Sequence, residues 1–88
     1  MKPKKIKYSS TFVKSLKKFP QSQLRNLAKQ DKIFRDNIFD SRLKTHKLKG
    51  ELKDFYSFSI LYHWRVIFHF EDKDTVVFDN IGTHKIYR

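Results

Sequence analysis

The sequence predicts an α+β fold: one antiparallel-rich sheet with a two-helix hairpin packed on one face, in the order β-α-α-β-β-β. Three observations predict it. In Phe55–Phe70, FYSFSILYHWRVIFHF, every even position from Tyr56 to Phe70 is apolar or aromatic, while the odd positions include Ser57, Ser59, His63, Arg65 and His69. That period of two marks strands with one buried face. Between Phe12 and Ile38, apolar residues recur at helical spacing instead. Two shorter segments, Lys4–Tyr8 and Thr75–Ile81, read as a first and a last strand.

Taken in order, Lys4–Tyr8 puts Ile6 and Tyr8 on one side and Lys5 and Lys7 on the other. Ser9 and Ser10 are N-cap candidates for the helix that follows. In that helix Phe12, Leu16 and Phe19 recur at i, i+4, i+7 with Val13 beside them. Lys14, Lys17 and Lys18 take the other face, and Pro20 ends it. A second helix is expected from Gln21 to Ile38, about 27 Å long. Its stripe is Leu24, Leu27, Phe34 and Ile38, flanked by Ala28 and edged by Asp31. So short a link makes the two helices an antiparallel pair on the sheet, with their apolar stripes in the core. Asp40–Asp54 is a basic loop in which Gly50 serves a turn of positive φ.

Phe55–Phe70 cannot be one straight strand, because it would span roughly 53 Å. A chain of this length has a radius of gyration of about 12 Å. It must therefore turn, around Leu61–His63. A two-residue hairpin loop would flip the parity of the apolar positions. Their unbroken parity calls for an odd-length loop or a bulge. Glu71–Asp74 is a polar turn, Thr75–Ile81 the last strand, and Gly82 precedes the tail Thr83–Arg88.

Eighty-eight residues make a single domain, 1–88, and nine Phe, four Tyr and one Trp supply its core. With no Cys, disulfides and thiolate metal sites are excluded, and the chain is compatible with a reducing cytoplasm. No apolar run is long enough to span a bilayer. There are 20 Lys+Arg against 9 Asp+Glu, a net charge of +11, and no acidic residue precedes Asp31. Such an excess favours a polyanionic partner: nucleic acid, an acidic protein or an anionic surface.

The loop motif HKLKG at His46–Gly50, the strand WRVIF at Trp64–Phe68 and the ending NIGTHKIY at Asn80–Tyr87, in this order on this element sequence, resemble the RelE/ParE toxin superfamily. The RelE/YafQ-like branch comes nearest. The resemblance spans nearly the whole chain. It implies the toxin of a type II toxin–antitoxin pair, held in a hetero-oligomer by an acidic antitoxin. In the RelE-like branch it implies an mRNA interferase working on the translating ribosome in the cytoplasm. In the ParE-like branch it implies a DNA gyrase poison. A degenerate relative that binds RNA without cutting it is a further alternative, and a plain basic structural domain is the last.

Metal-free RNA cleavage proceeds by attack of the 2′-OH on the adjacent phosphate, and needs a base, an acid and cations. No cofactor is called for. His84, just after the last strand, resembles the catalytic histidine of the histidine-using members. His46 resembles their loop histidine. Arg65 falls on the polar face, where the family places a functional arginine, and its fork suits phosphate oxygens. Tyr87 resembles a C-terminal aromatic on which a base can stack. Lys47, Lys49 and Lys44 are candidate RNA contacts, as is His63 at the strand junction. A zinc site among the four histidines lacks helix-type ligand spacing and any Cys. The chain departs from the family at Ser57 and Ser59, where RelE proper carries lysines, and at Ser59, where the histidine-using branch often has another histidine. Its tail is also one residue shorter before Tyr87.

Overall fold

The computed structural model describes residues 1–87; Arg88, at the end of the expected tail, lies outside the described residues. The element order is β1 (Lys5–Tyr8), α1 (Ser10–Lys17), α2 (Leu24–Asp36), β2 (His46–Lys47), β3 (Tyr56–Leu61), β4 (Trp64–Phe70) and β5 (Thr75–Gly82). Short 3₁₀ turns fill the connections, and one at His84–Tyr87 follows β5. The five strands form one sheet in the order β1-β5-β4-β3-β2. β1 runs parallel to β5, and every other pairing is antiparallel. This is the expected architecture with one addition. β2 lies in the segment expected to be loop, and its two residues are too few to show a period.

The hairpin joining β3 and β4 resolves the parity question. Leu61 pairs with Trp64, so the loop is the two residues Tyr62 and His63. The register shifts by one between Ser59 and Leu61, and that bulge restores the parity the loop would have flipped. Phe58, Val66 and Phe68 therefore share the buried face with Ile60. The even-position rule fails at one place. Tyr62, at the loop, is 80% exposed and has φ +48°. A left-handed conformation there costs a residue with a Cβ about 1–2 kcal/mol. The opposite face is not all open either. Ser57 and Ile67, which pair across β3 and β4, are both buried.

Ser9 caps α1 as expected, its Oγ accepting from the Phe12 amide at 3.0 Å. The second helix is shorter than predicted. Gln21–Gln23 is a 3₁₀ turn, α2 has 13 residues, and Ile38 is buried beyond its end. The expected stripe holds at Phe34 and Ile38, with Leu27 half-buried against the core, and fails at Leu24. Ile33 and Phe34 face the core, whereas Leu24 is 44% exposed. α1 packs on β5 and α2 on β3. An apolar groove of about 420 Å³ lies between them, bordered by Val13, Leu24 and Leu27 and floored by Phe12 and Phe78. The helix stripes thus reach the core only in part. The reason is that each helix packs on its own strand, α1 on β5 and α2 on β3, and a groove is left between them.

Phe34 is the centre of the core. It is fully buried, stacks on Phe58 at 4.8 Å and meets Phe68 and Phe78 edge-on at 5.1 and 5.2 Å. Truncating such a ring removes its transfer energy and leaves a cavity between helix and sheet. Phe34→Ala is expected to lower unfolding stability by about 3–5 kcal/mol, read as a shift in the urea midpoint at unchanged slope.

Candidate functional site

Strand register gathers the polar residues on the face away from the helices. Ser59 pairs with Arg65, Arg65 with Gly82, and His46 with Ser57. Paired residues share a face, so His46, Ser57, Ser59 and Arg65 belong to one surface. The Arg65 guanidinium is fixed twice. Its Nη1 donates to Ser59 Oγ at 2.6 Å, and its Nη2 to His84 Nε2 at 3.3 Å. Among the described residues no carboxylate bridges Arg65, so its charge is available to a ligand. Ser59, a departure from the family pattern, is here the residue that orients the arginine.

His84 is exposed at the start of the C-terminal 3₁₀ turn. That turn folds back over the sheet because Gly82 has no side chain: a Cβ there would collide with Ile86. Its far end is tied down at Tyr87, whose hydroxyl shares a 2.9 Å hydrogen bond with the buried Ser57 Oγ. The Tyr87 ring stands edge-on to His84, centroids 5.7 Å apart. Because Arg65 donates to Nε2, the neutral His84 ring carries its proton on Nδ1 and presents a lone pair toward the guanidinium. His46 has the same tautomer by a different route. Its Nδ1 donates to the Lys44 carbonyl at 3.0 Å, leaving Nε2 free.

The remaining predicted residues divide. Lys44 stands beside His46, in a left-handed conformation (φ +53°) that caps the 3₁₀ turn Ser41–Leu43. Lys47 pairs with Tyr56 and so lies on the other face of β2 from His46. Lys49 precedes the 3₁₀ turn Gly50–Leu52, where Gly50 has the expected positive φ of +68°. His63 is exposed in the hairpin loop, with no hydrogen bond to Arg65 or His84 among the described residues. His69 is engaged elsewhere: its Nδ1 donates to Asp79 Oδ2 at 2.7 Å. Burial pushes the Asp79 carboxyl above its ordinary value, against the opposing pull of His69.

Beside the Arg65 face lies a cleft of about 630 Å³ between α2, the loop Ser41–His46 and the β3–β4 hairpin. Nothing in the sequence pattern places α2 at the site. Lys29 and the buried Gln30 come from it, and the Gln30 amide donates to the carbonyls of Ser59 (2.9 Å) and Arg42 (3.1 Å). No carboxylate lines the cleft among the described residues. Arg42 also faces it, but Asp40 holds that guanidinium through Nε and Nη2 at 3.0 and 2.9 Å. The Arg42 side chain, then its backbone amide, hold the Asp40 carboxyl down to about 2. No group of three or more potential metal ligands clusters among the described residues.

The sequence model of one family, described as "Bacterial toxin of type II toxin-antitoxin system, YafQ", matches residues 4–87. The chain belongs to this toxin family. The family's fold carries over as well. The crystal structure of YafQ from E. coli superposes with a TM-score of 0.77 at 20% identity, covering 93% of this chain and 94% of that one. The toxin in the E. coli DinJ–YafQ toxin–antitoxin complex gives 0.74 at 21%, covering 92% of each chain. The RelBE2 toxin–antitoxin complex from Mycobacterium tuberculosis gives 0.68 at 20%, covering 96% of this chain and 94% of that one. No curated protein matches the sequence significantly. This YafQ-family toxin has the expected α+β fold, and the site described above occupies its helix-free face.

Two outcomes test the construction of the site. Gly82→Ala should displace the C-terminal turn while the Phe34 core holds. The cost is about 1–3 kcal/mol, and NMR should show the His84 and Tyr87 signals moving much more than those of Phe34. Asp40 tests the loop. Its folded-state value lies below the ordinary 3.8, so its contribution to stability is present above about pH 4 and disappears as pH falls toward 2. Asp40→Asn should therefore be less stable than the parent chain at pH 6, and the two should converge in urea titrations between pH 4 and 2.

Proposed function

We propose that this toxin is a metal-independent, ribosome-dependent endoribonuclease that cleaves translated mRNA. The observation that carries the reading is the Arg65–His84 contact. A cation without a carboxylate partner among the described residues, oriented by Ser59, stands at 3.3 Å from a histidine nitrogen. A phosphate that takes the Arg65 N–H in place of His84 Nε2 lies beside that nitrogen and frees its lone pair for a proton, which is what 2′-OH attack requires.

The chemistry is balanced within the substrate. The 2′-oxygen forms a bond to phosphorus, the bond from phosphorus to the 5′-oxygen breaks, and a 2′,3′-cyclic phosphate results. The 2′-OH proton goes to a base, and the 5′-oxygen takes one from an acid. His84 and His46 share these two tasks. Arg65 holds the non-bridging oxygens and offsets the charge that gathers on them. Tyr87 holds the turn that carries His84 and offers its ring to a base; its hydroxyl is committed to Ser57. Lys44, Lys47, Lys49 and His63 contact the RNA backbone without entering the chemistry. The net charge of +11 draws the protein to ribosomal RNA.

The same charge defines the protein partner. The cognate antitoxin is acidic, orders on binding, and forms a hetero-oligomer with this toxin, as DinJ does with E. coli YafQ in their complex. No helix among the described residues is long and apolar enough to cross a membrane, and the proposed place of action is the cytoplasm, where translation runs.

The test is mRNA 5′-end mapping in a translating extract. New ends inside codons held in the ribosomal A site are expected with the parent chain. His84→Ala should reduce them roughly 10²–10⁴-fold without loss of folding, since His84 is exposed. Intact mRNA with the folded parent chain would overturn the nuclease reading and bring gyrase supercoiling forward as the next assay.

A further inference from the structure

The cleft beside Arg65 is larger than phosphate binding requires. At about 630 Å³ it falls in the range of sites that hold whole small ligands. It exists because β2 is short. β2 covers β3 only at Tyr56 and Ser57, so among the described residues no strand covers the β2-side edge at Ser59–Leu61. The buried Gln30 side chain takes up the Ser59 carbonyl there and links it to the loop at Arg42. This amide satisfies the open edge without filling the space beyond it.

The charged side chains that line that space are of one sign, set among polar and apolar neighbours such as Gln30 and Ile60. Lys29, Lys44 and Arg65 face it, and among the described residues none of them is within 4.0 Å of a carboxylate. At the rim stands Tyr62, 80% exposed and in a left-handed conformation at φ +48°. Two-residue hairpin loops favour Asn, Asp or Gly at such a position. A large aromatic there gains little burial and meets a steric penalty, so the fold gives no reason for it. Strain of this kind concentrates at functional sites.

We propose that the cleft seats the nucleotide adjoining the scissile phosphate of single-stranded RNA. Tyr62 stacks on its base, and Lys29 and Lys44 hold its outer phosphate, while Arg65 stands between this seat and the reacting phosphate. The inference deepens the RNA reading above and rests on it for the choice of ligand. Tyr62 is then a specificity-determining residue, because the depth of stacking depends on the base presented.

The test separates binding from cleavage. A 2′-O-methyl oligoribonucleotide of mixed sequence has no attacking hydroxyl, so it reports binding alone. Titrated into the ¹⁵N-labelled full chain, it should shift the signals of Tyr62, Lys29 and Lys44 along with those of Arg65 and His84. Tyr62→Ala should weaken binding roughly 5- to 150-fold, the range of one base–aromatic stack, and Tyr62→Phe should restore it. Lys29→Ala with Lys44→Ala should lower the slope of log K against log salt by roughly 0.7 for each phosphate these lysines neutralise. In the extract, Tyr62→Ala should change which codons are cut while His84 stays essential. Tyr62→Ala and the lysine variants binding like the parent chain, with signal shifts confined to Arg65 and His84, would overturn the cleft assignment and leave the nuclease reading intact. Tyr62-dependent binding with mRNA uncut would support the cleft and remove the catalytic reading.

Discussion

The pairing register of β3 and β4 is the constraint on which the rest depends. With side chains alternating across a sheet, a slip of one residue would exchange the two faces. Here the slip occurs twice and cancels: once in the two-residue loop at Tyr62–His63 and once in the bulge between Ser59 and Leu61. Phe58, Val66 and Phe68 consequently join Phe34 in the core, while Ser57 and Arg65 meet the C-terminal turn and Ser59 holds Arg65. Loss of either irregularity would turn one strand's apolar side chains to the opposite face.

The functional face is then assembled by small residues as much as by reactive ones. Gly82 makes room for Ile86, Ser57 anchors Tyr87, and Ser59 aims Arg65. None of the three has acid–base chemistry of its own. Together they set a guanidinium against an imidazole on a face where no described carboxylate competes for it. Asp40 has a complementary role at the cleft: by holding Arg42 it leaves Lys29, Lys44 and Arg65 as the charges a polyanion would meet.

The stability of the helix layer is uneven. Phe34 is enclosed by three other Phe rings, but an apolar groove edged by Val13 and Leu24 lies between α1 and α2. The core is concentrated at the C-terminal half of α2 and the middle of the sheet. The site lies across the sheet from it, built on β3 and β4, the same strands that carry the best-packed rings.

The strand order along the chain, both helices, the hairpin's need for a bulge and the polar face bearing Arg65 are all legible from periodicity, because burial imposes a spacing on residues near in sequence. The family motifs point to His46, His84 and Tyr87. The limits of α2, the two-residue β2 and the groove between the helices are not legible, since each depends on where another element sits. The roles of Gln30, Ser59, Gly82 and Tyr62 are hidden for the same reason. An amide, a hydroxyl, a missing Cβ and an exposed ring have no periodic signature. Their meaning comes from partners far along the chain or across a turn, Ser59 for Gln30 and Ile86 for Gly82 among them. The sequence by itself determined most of the residues that face the core and the net charge, because both follow from composition and spacing. Only the tertiary structure decided which cation has no carboxylate beside it among the described residues and which side chains stand there instead, because those are matters of distance in space.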